Sequence, residues 1–197
     1  MDRPAIRNSW TRVAMRRIRS FQPDDRQRVL DKISRTAQDT ITRTRGDDWL
    51  PAALAVEVCD ALVECLGPER AAEFWRDVVY DSWVGGLLEP LLASSRRSAA
   101  DGSSKDSSGP MHGLLTLAPA AWSLSARDCG QVVLVDDDDG KVRLEARDLP
   151  KSVRDSAGIQ VMYAGALKAM LAFSGLSASV EIQAEGDQPL AFRLLFR

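Results

Sequence analysis

Any proton-transfer or metal site in this 197-residue chain that depends on histidine rests on one residue, His112. It stands in Gly109-Pro110-Met111-His112-Gly113, with no Ser, Cys or Asp in a recognised catalytic register, and reads as a solvated loop histidine. The run Asp136 to Asp139 before Gly140 has the oxygen-rich side chains that a calcium ion takes. Spacing rejects that use. With Gly140 at the sixth position of a calcium loop, Val135 falls at the first and Ala146 at the twelfth, where Asp and Glu are needed. An exposed acidic hairpin tip accounts for the run. Cys59, Cys65 and Cys129 have neither a Cys-x-x-Cys spacing nor a histidine partner, so they read as reduced thiols that behave as small apolar residues. The chain has no phosphate-binding glycine loop, no Gly-x-Ser-x-Gly elbow and no glycine-rich dinucleotide fingerprint. The expectation is a protein that is not an enzyme, with no catalytic residues, no metal and no cofactor.

Two other patterns carry information. Trp75, Trp83, Trp122 and Tyr163 fall on the expected inner faces of helices, where large aromatics fill a core or line a ligand pocket between helices and a sheet. Arg12, Arg16 and Arg19 share one face of an N-terminal helix whose other face carries Trp10, Val13, Ala14, Ile18 and Phe21. Clustered arginine attracts nucleic acid, acidic membrane surfaces and acidic proteins. No aromatic or glycine-rich RNA-binding motif accompanies it, which disfavours nucleic acid and leaves a protein partner or a merely solvated face. The charge is polarised along the chain: residues 1–46 hold twelve Lys or Arg against five Asp, a net of +7, while the whole chain is −2.

The elements that must position these residues follow from hydrophobic spacing. A basic amphipathic helix follows Pro4, and a second runs from Pro23 to Arg45 on the stripe Val29, Ile33, Ala37 and Ile41. Asp47-Asp48-Trp49-Leu50-Pro51 signals the start of a buried helix ending at Gly67, and Pro68 opens another that ends at Gly85-Gly86. Residues 94–109, rich in Ser and Gly, predict a flexible loop. After a helix over about 111–122, Gln131 to Val135 and Lys141 to Leu149 predict a hairpin. Ile159 to Ser174 predicts a helix with one apolar face, and Ala178 to Ala184 and Leu190 to Phe196 a second hairpin. The fold expected is α+β, a helical N-terminal half packed on an antiparallel sheet with a β-β-α-β-β C-terminal half. Its parts are a basic helical extension over 1–46 and an α+β domain over 47–197. No apolar stretch reaches the roughly 18 residues a membrane span needs, and no secretory signal opens the chain, so the expected location is cytoplasmic.

Several short pieces recur in a familiar order: Trp49-Leu50-Pro51, Gly113-Leu114-Leu115, Ala118-Pro119-Ala120-Ala121-Trp122, Arg127-Asp128-Cys129-Gly130, Leu149-Pro150, Tyr163-Ala164-Gly165, Gly175 and Phe192-Arg193-Leu194. In these the chain resembles a set of paralogous myxobacterial proteins of unknown function. That set is distantly similar to the superfamily of haem nitric-oxide-binding domains, vinyl-reductase-type ligand domains and Golgi tethering subunits that hold an acyl chain. The resemblance implies helices packed on an antiparallel sheet. It does not imply haem: the propionate clamp Tyr-x-Ser-x-Arg is met only by Tyr80-Asp81-Ser82-Trp83-Val84, which lacks the Arg and precedes the only His.

The functional expectation is a non-enzymatic sensory or regulatory module binding a small hydrophobic ligand between helices and sheet, near Trp75, Trp83, Trp122 and Tyr163. The alternative is a protein-interaction adaptor without ligand, using the Arg12, Arg16 and Arg19 face or a homodimer face.

Overall fold

The computed structural model describes residues 3–83, 115–136, 142–173, 178–183 and 190–196. The expected serine-rich loop at 94–109, His112 and the tips of both predicted hairpins lie outside them. Among the described residues the fold is α+β, with helices α1 (Asn8–Arg19), α2 (Pro23–Lys32), α3 (Arg35–Arg43), α4 (Ala52–Leu66), α5 (Pro68–Trp83), α6 (Leu117–Ser125), α7 (Lys151–Arg154) and α8 (Ala157–Phe173). The strands are β1 (Ala5–Arg7), β2 (Trp49–Pro51), β3 (Ala126–Arg127), β4 (Gln131–Asp136), β5 (Val142–Arg147), β6 (Ala178–Gln183) and β7 (Leu190–Phe196). None of these helices is long and apolar enough to cross a membrane.

Alternating side chains put Val132, Leu134, Leu144, Ala146, Phe192, Leu194, Val180 and Ile182 on one sheet face. Antiparallel pairing places Leu134 beside Leu144, Leu144 beside Phe192 and Phe192 beside Ile182, in the order β4-β5-β7-β6. The two hairpins thus join through β5 and β7, with α8 bridging them, as the β-β-α-β-β pattern predicts. The other face carries Arg143, Glu145 and Arg147. Burial pushes the Glu145 carboxyl up, but hydrogen bonds from Arg147 (2.7 Å) and Arg143 (2.9 Å) outweigh it and hold the group below its ordinary range.

α8 is apolar nearly all round, the pattern of a helix enclosed by its neighbours and not of one with a single inner face. It packs on α4 and α5 with one side and on the sheet with the other. Two glycines permit the close helix crossings. A Cβ at Gly158 would stand 2.2 Å from the carbonyl carbon of Cys59 in α4, and one at Gly165 2.6 Å from the carbonyl oxygen of Ala72 in α5.

Three expectations about the N-terminal third are corrected. The chain after Pro4 is extended before it is helical: β1 pairs with both β2 and β3 to form a three-stranded sheet, and α1 begins only at Asn8. For the same reason Trp49-Leu50-Pro51 is a strand, consistent with the extended backbone favoured before proline, and α4 starts at Ala52. The segment from Pro23 to Arg45 is two helices. Ile33 leaves α2 extended, Ser34 caps α3 by accepting a hydrogen bond from the Ala37 amide at 3.1 Å, and the Gln38 side chain donates to the Leu30 and Ile33 carbonyls. Ala14, Met15, Ile18, Val29, Ile33, Ala37 and Ile41 belong to the same hydrophobic cluster as α4, α5 and α8. The change of charge near residue 46 is therefore not a change of packing.

Candidate functional site

α6 presents Ala118, Ala121, Trp122 and Ser125 on one side, the i, i+3, i+4, i+7 set of a single helical face. α8 presents Tyr163, Ala166, Leu167 and Met170 opposite, centred about 150° around the helix from Gly165 by the 3.6-residue repeat. The inner sheet face supplies Val132, Leu144, Ala146 and Phe192, and α1 supplies Trp10. These surfaces line a half-open cavity of about 70 Å³. Short alanine side chains from three elements meet there, which leaves the space open. Its size exceeds one water's share of about 30 Å³ and is roughly half the 150 Å³ of an engineered apolar cavity that takes benzene.

The aromatic rings are fixed in the wall. Trp122 and Tyr163 lie with ring centroids 4.7 Å apart, and Tyr163 meets Phe192 edge-on at 6.2 Å. The Trp122 indole N–H donates to the Gly130 carbonyl at 3.1 Å. Ser125 donates within α6, toward the Ala121 carbonyl at 2.8 Å or the Trp122 carbonyl at 3.1 Å. The Tyr163 hydroxyl takes part in no hydrogen bond among the described residues. Burial pushes its ionisation well above that of a free phenol, with smaller contributions in the same direction from Cys129 and Cys59.

The three-stranded sheet holds α6 in place. β3 continues directly from α6 and pairs with β1, and Arg7 of β1 donates to the Leu124 carbonyl at 3.3 Å and to the Asp47 carbonyl. The Arg7 guanidinium stacks 4.0 Å from the Trp49 ring centroid, with Arg127 at 5.1 Å.

The structure unites two of the four aromatic residues expected at the site, Trp122 and Tyr163. Trp75 is elsewhere: fully buried, it packs at the α5–α8 crossing and edge-on to Phe74 at 5.7 Å, and its indole nitrogen has no partner among the described residues. Trp83 closes α5, and its side chain lies outside the described residues. Trp10, on the apolar face of α1, is also part of the cavity wall. The small residues Ala118, Ala121 and Ser125 carried a findable signal, since they share one helical face with Trp122.

The arginine face is engaged only in part within the protein. Arg12 donates to the Thr44 carbonyl at 3.0 Å and Arg19 to the Thr42 hydroxyl at 3.0 Å, both on or just after α3. Arg16 is exposed. The described part of the motif considered for haem closes α5, where Asp81 binds Arg17 at 2.6 Å and Ser82 donates to the Val79 carbonyl. Cys59 and Cys129 are buried, Cys65 is half-buried, and all three are free thiols. Burial raises the Cys59 thiol well above its ordinary value, so it is held protonated. Among the described residues no group of three or more His, Cys, Asp or Glu is placed to hold a metal ion.

A second depression, about 520 Å³, lies between the α1–α2 turn and α5, over Phe21 and Phe74. It is larger, but three of its carboxylates are already paired: Asp25 with Arg28, Glu73 with Arg76 and Lys168, and Asp77 with Arg17 and Arg76. The smaller apolar cavity is the better candidate for a small molecule, because its wall among the described residues is hydrocarbon with few polar groups. No protein-family model matches the chain, and no curated protein matches it.

Proposed function

We propose that the protein is a non-enzymatic sensory or regulatory module of the cytoplasm that binds a small hydrophobic ligand between its helices and its sheet. One observation carries this reading: an apolar cavity opens where α1, α6, α8 and the sheet meet, with the Trp122 and Tyr163 rings in its wall. Aromatic and aliphatic walls with a few polar handles are the usual make-up of ligand sites. The resemblance to the haem nitric-oxide-binding and Golgi-tethering superfamily supports the same reading by analogy of fold, and we propose that kinship with it.

The test is native mass spectrometry of freshly purified protein, followed by denaturation and identification of whatever is released. A stoichiometric apolar molecule is expected, and its re-addition raises the thermal midpoint of the apo protein by mass action. Filling the cavity with Ala121→Leu plus Ala166→Leu removes that gain. A clean apo mass, with no thermal response to any member of an apolar ligand panel, overturns the reading.

The second reading, an adaptor without ligand, is favoured by the exposed Arg16. A partner that binds wild type but not Arg16→Glu, at moderate salt, supports it.

A further inference from the structure

We propose that the cavity selects an uncharged group of a few heavy atoms carrying one hydrogen-bonding oxygen. This rests on the ligand-binding reading above and assigns the chemical class that reading leaves open. The described wall is hydrocarbon apart from the polar atoms of its Trp, Ser and Tyr side chains. An ionised carboxylate or ammonium entering it gives up its water, and this wall has no opposite charge to restore what is lost.

The polar atoms of the wall are differently committed. The Trp122 N–H is spent on Gly130, and the single Ser125 proton is spent within α6. The Ser125 oxygen keeps acceptor capacity. The Tyr163 side chain is nine-tenths buried, and its hydroxyl makes no hydrogen bond among the described residues. Because burial keeps that phenol protonated, it retains both a donor and an acceptor. An alcohol or carbonyl oxygen on a small aliphatic body supplies the missing partner without bringing a charge. The volume of about 70 Å³ limits the enclosed part to a few heavy atoms.

The experiment follows the alanine methyl signals of the full chain by NMR while butan-1-ol, butanoate, butylammonium and pentane are each titrated at neutral pH. Butan-1-ol is expected to shift the Ala118, Ala121 and Ala166 methyls saturably, with the two ions at least tenfold weaker. Tyr163→Phe is expected to weaken butan-1-ol about fivefold, the effect of one lost net hydrogen bond, and to leave pentane unchanged. Butanoate or butylammonium binding as tightly as butan-1-ol overturns the assignment of class while leaving the cavity reading intact. Equal binding of pentane and butan-1-ol to wild type removes the role of the hydroxyl. No shift with any of the four probes overturns the cavity reading itself. The comparison of neutral and charged probes needs only wild-type protein, so it decides the matter even where Tyr163→Phe does not fold.

Discussion

Gly165 and Trp75 meet where α8 crosses α5, so closely that a Cβ on the glycine would stand 2.7 Å from the Cβ of Trp75. The Ala72 carbonyl oxygen would be 2.6 Å away, so backbone as well as side chain blocks the added methyl. This contact brings one side of α8 hard against the helical layer and turns Tyr163, Ala166 and Met170 toward the sheet. Gly165→Ala is expected to destabilise the protein by about 1–3 kcal/mol through overpacking. Gly158→Ala, whose methyl would meet the α4 backbone at 2.2 Å, is expected to cost more. Urea unfolding of both variants, with an unchanged slope, measures it; equal stability to wild type would contradict the crossing.

Asn8 ties α1 to the end of α3. Its side-chain amide is fully buried and donates to the Ile41 and Thr44 carbonyls, each at 2.9 Å. These are carbonyls that the end of a helix leaves without intrahelical partners. Asn8→Ala is expected to cost about 1–3 kcal/mol, because the buried Ile41 carbonyl loses its donor while the Thr44 carbonyl keeps Arg12. Asn8→Asp is expected to be no better, since a carboxylate cannot donate. Denaturant midpoints of the two variants test this, and a neutral Asn8→Ala would refute it.

Arginine substitutions on α1 should separate structure from recognition. Arg16→Glu is expected to change stability by less than about 0.5 kcal/mol, as exposed substitutions do. Arg12→Glu is expected to lower the thermal midpoint clearly, because it loses the Thr44 carbonyl and brings a carboxylate to it. Thermal scans of the single variants suffice. A simultaneous reversal of Arg12, Arg16 and Arg19 confounds folding with binding.

Glu145 should contribute to the acid limb of stability. Its folded pKa is lowered, so the unfolded chain binds the proton more readily and stability rises with pH over that range. The contribution is complete above the ordinary glutamate value of about 4.3 and is lost as pH falls through the lower folded value. Glu145→Gln is expected to flatten thermal midpoint against pH below about 4.3. An acid limb as steep as wild type would show that Glu145 does not drive it.

Tyr163 should act at the opposite end. Its folded pKa is raised, so the folded state holds the proton where the unfolded chain releases it. Stability from this source is whole below the phenol value of about 10 and declines as pH rises beyond it. Phenolate absorbance from Tyr163 is expected to appear together with unfolding. Tyr163→Phe should remove that component and flatten the alkaline limb; early, reversible ionisation of Tyr163 in folded protein would contradict its burial.

Much of the fold was legible in the sequence because it depends on neighbours along the chain. Alternation in Val142, Leu144 and Ala146 and in Leu190, Phe192 and Leu194 determined two hairpins and which of their faces is inward. Helical spacing determined α4, α5 and α8, and the placing of Trp122 and Tyr163 on inner faces. Tertiary structure decided the rest. Ala5 to Arg7 became a strand because Trp49 to Pro51 and Ala126 to Arg127, far along the chain, were brought beside it to take its hydrogen bonds. Trp75 and Tyr163 looked alike as inner aromatics, yet α8 separates them, one at a helix crossing and the other in a cavity wall. Arg12 is on the helix face that the sequence offers to a partner, yet the end of α3 engages its guanidinium. Whether space remained between Ala121, Ala146 and Ala166 was decided only in three dimensions, because periodicity marks which faces are apolar and packing alone settles whether they fill the volume between them.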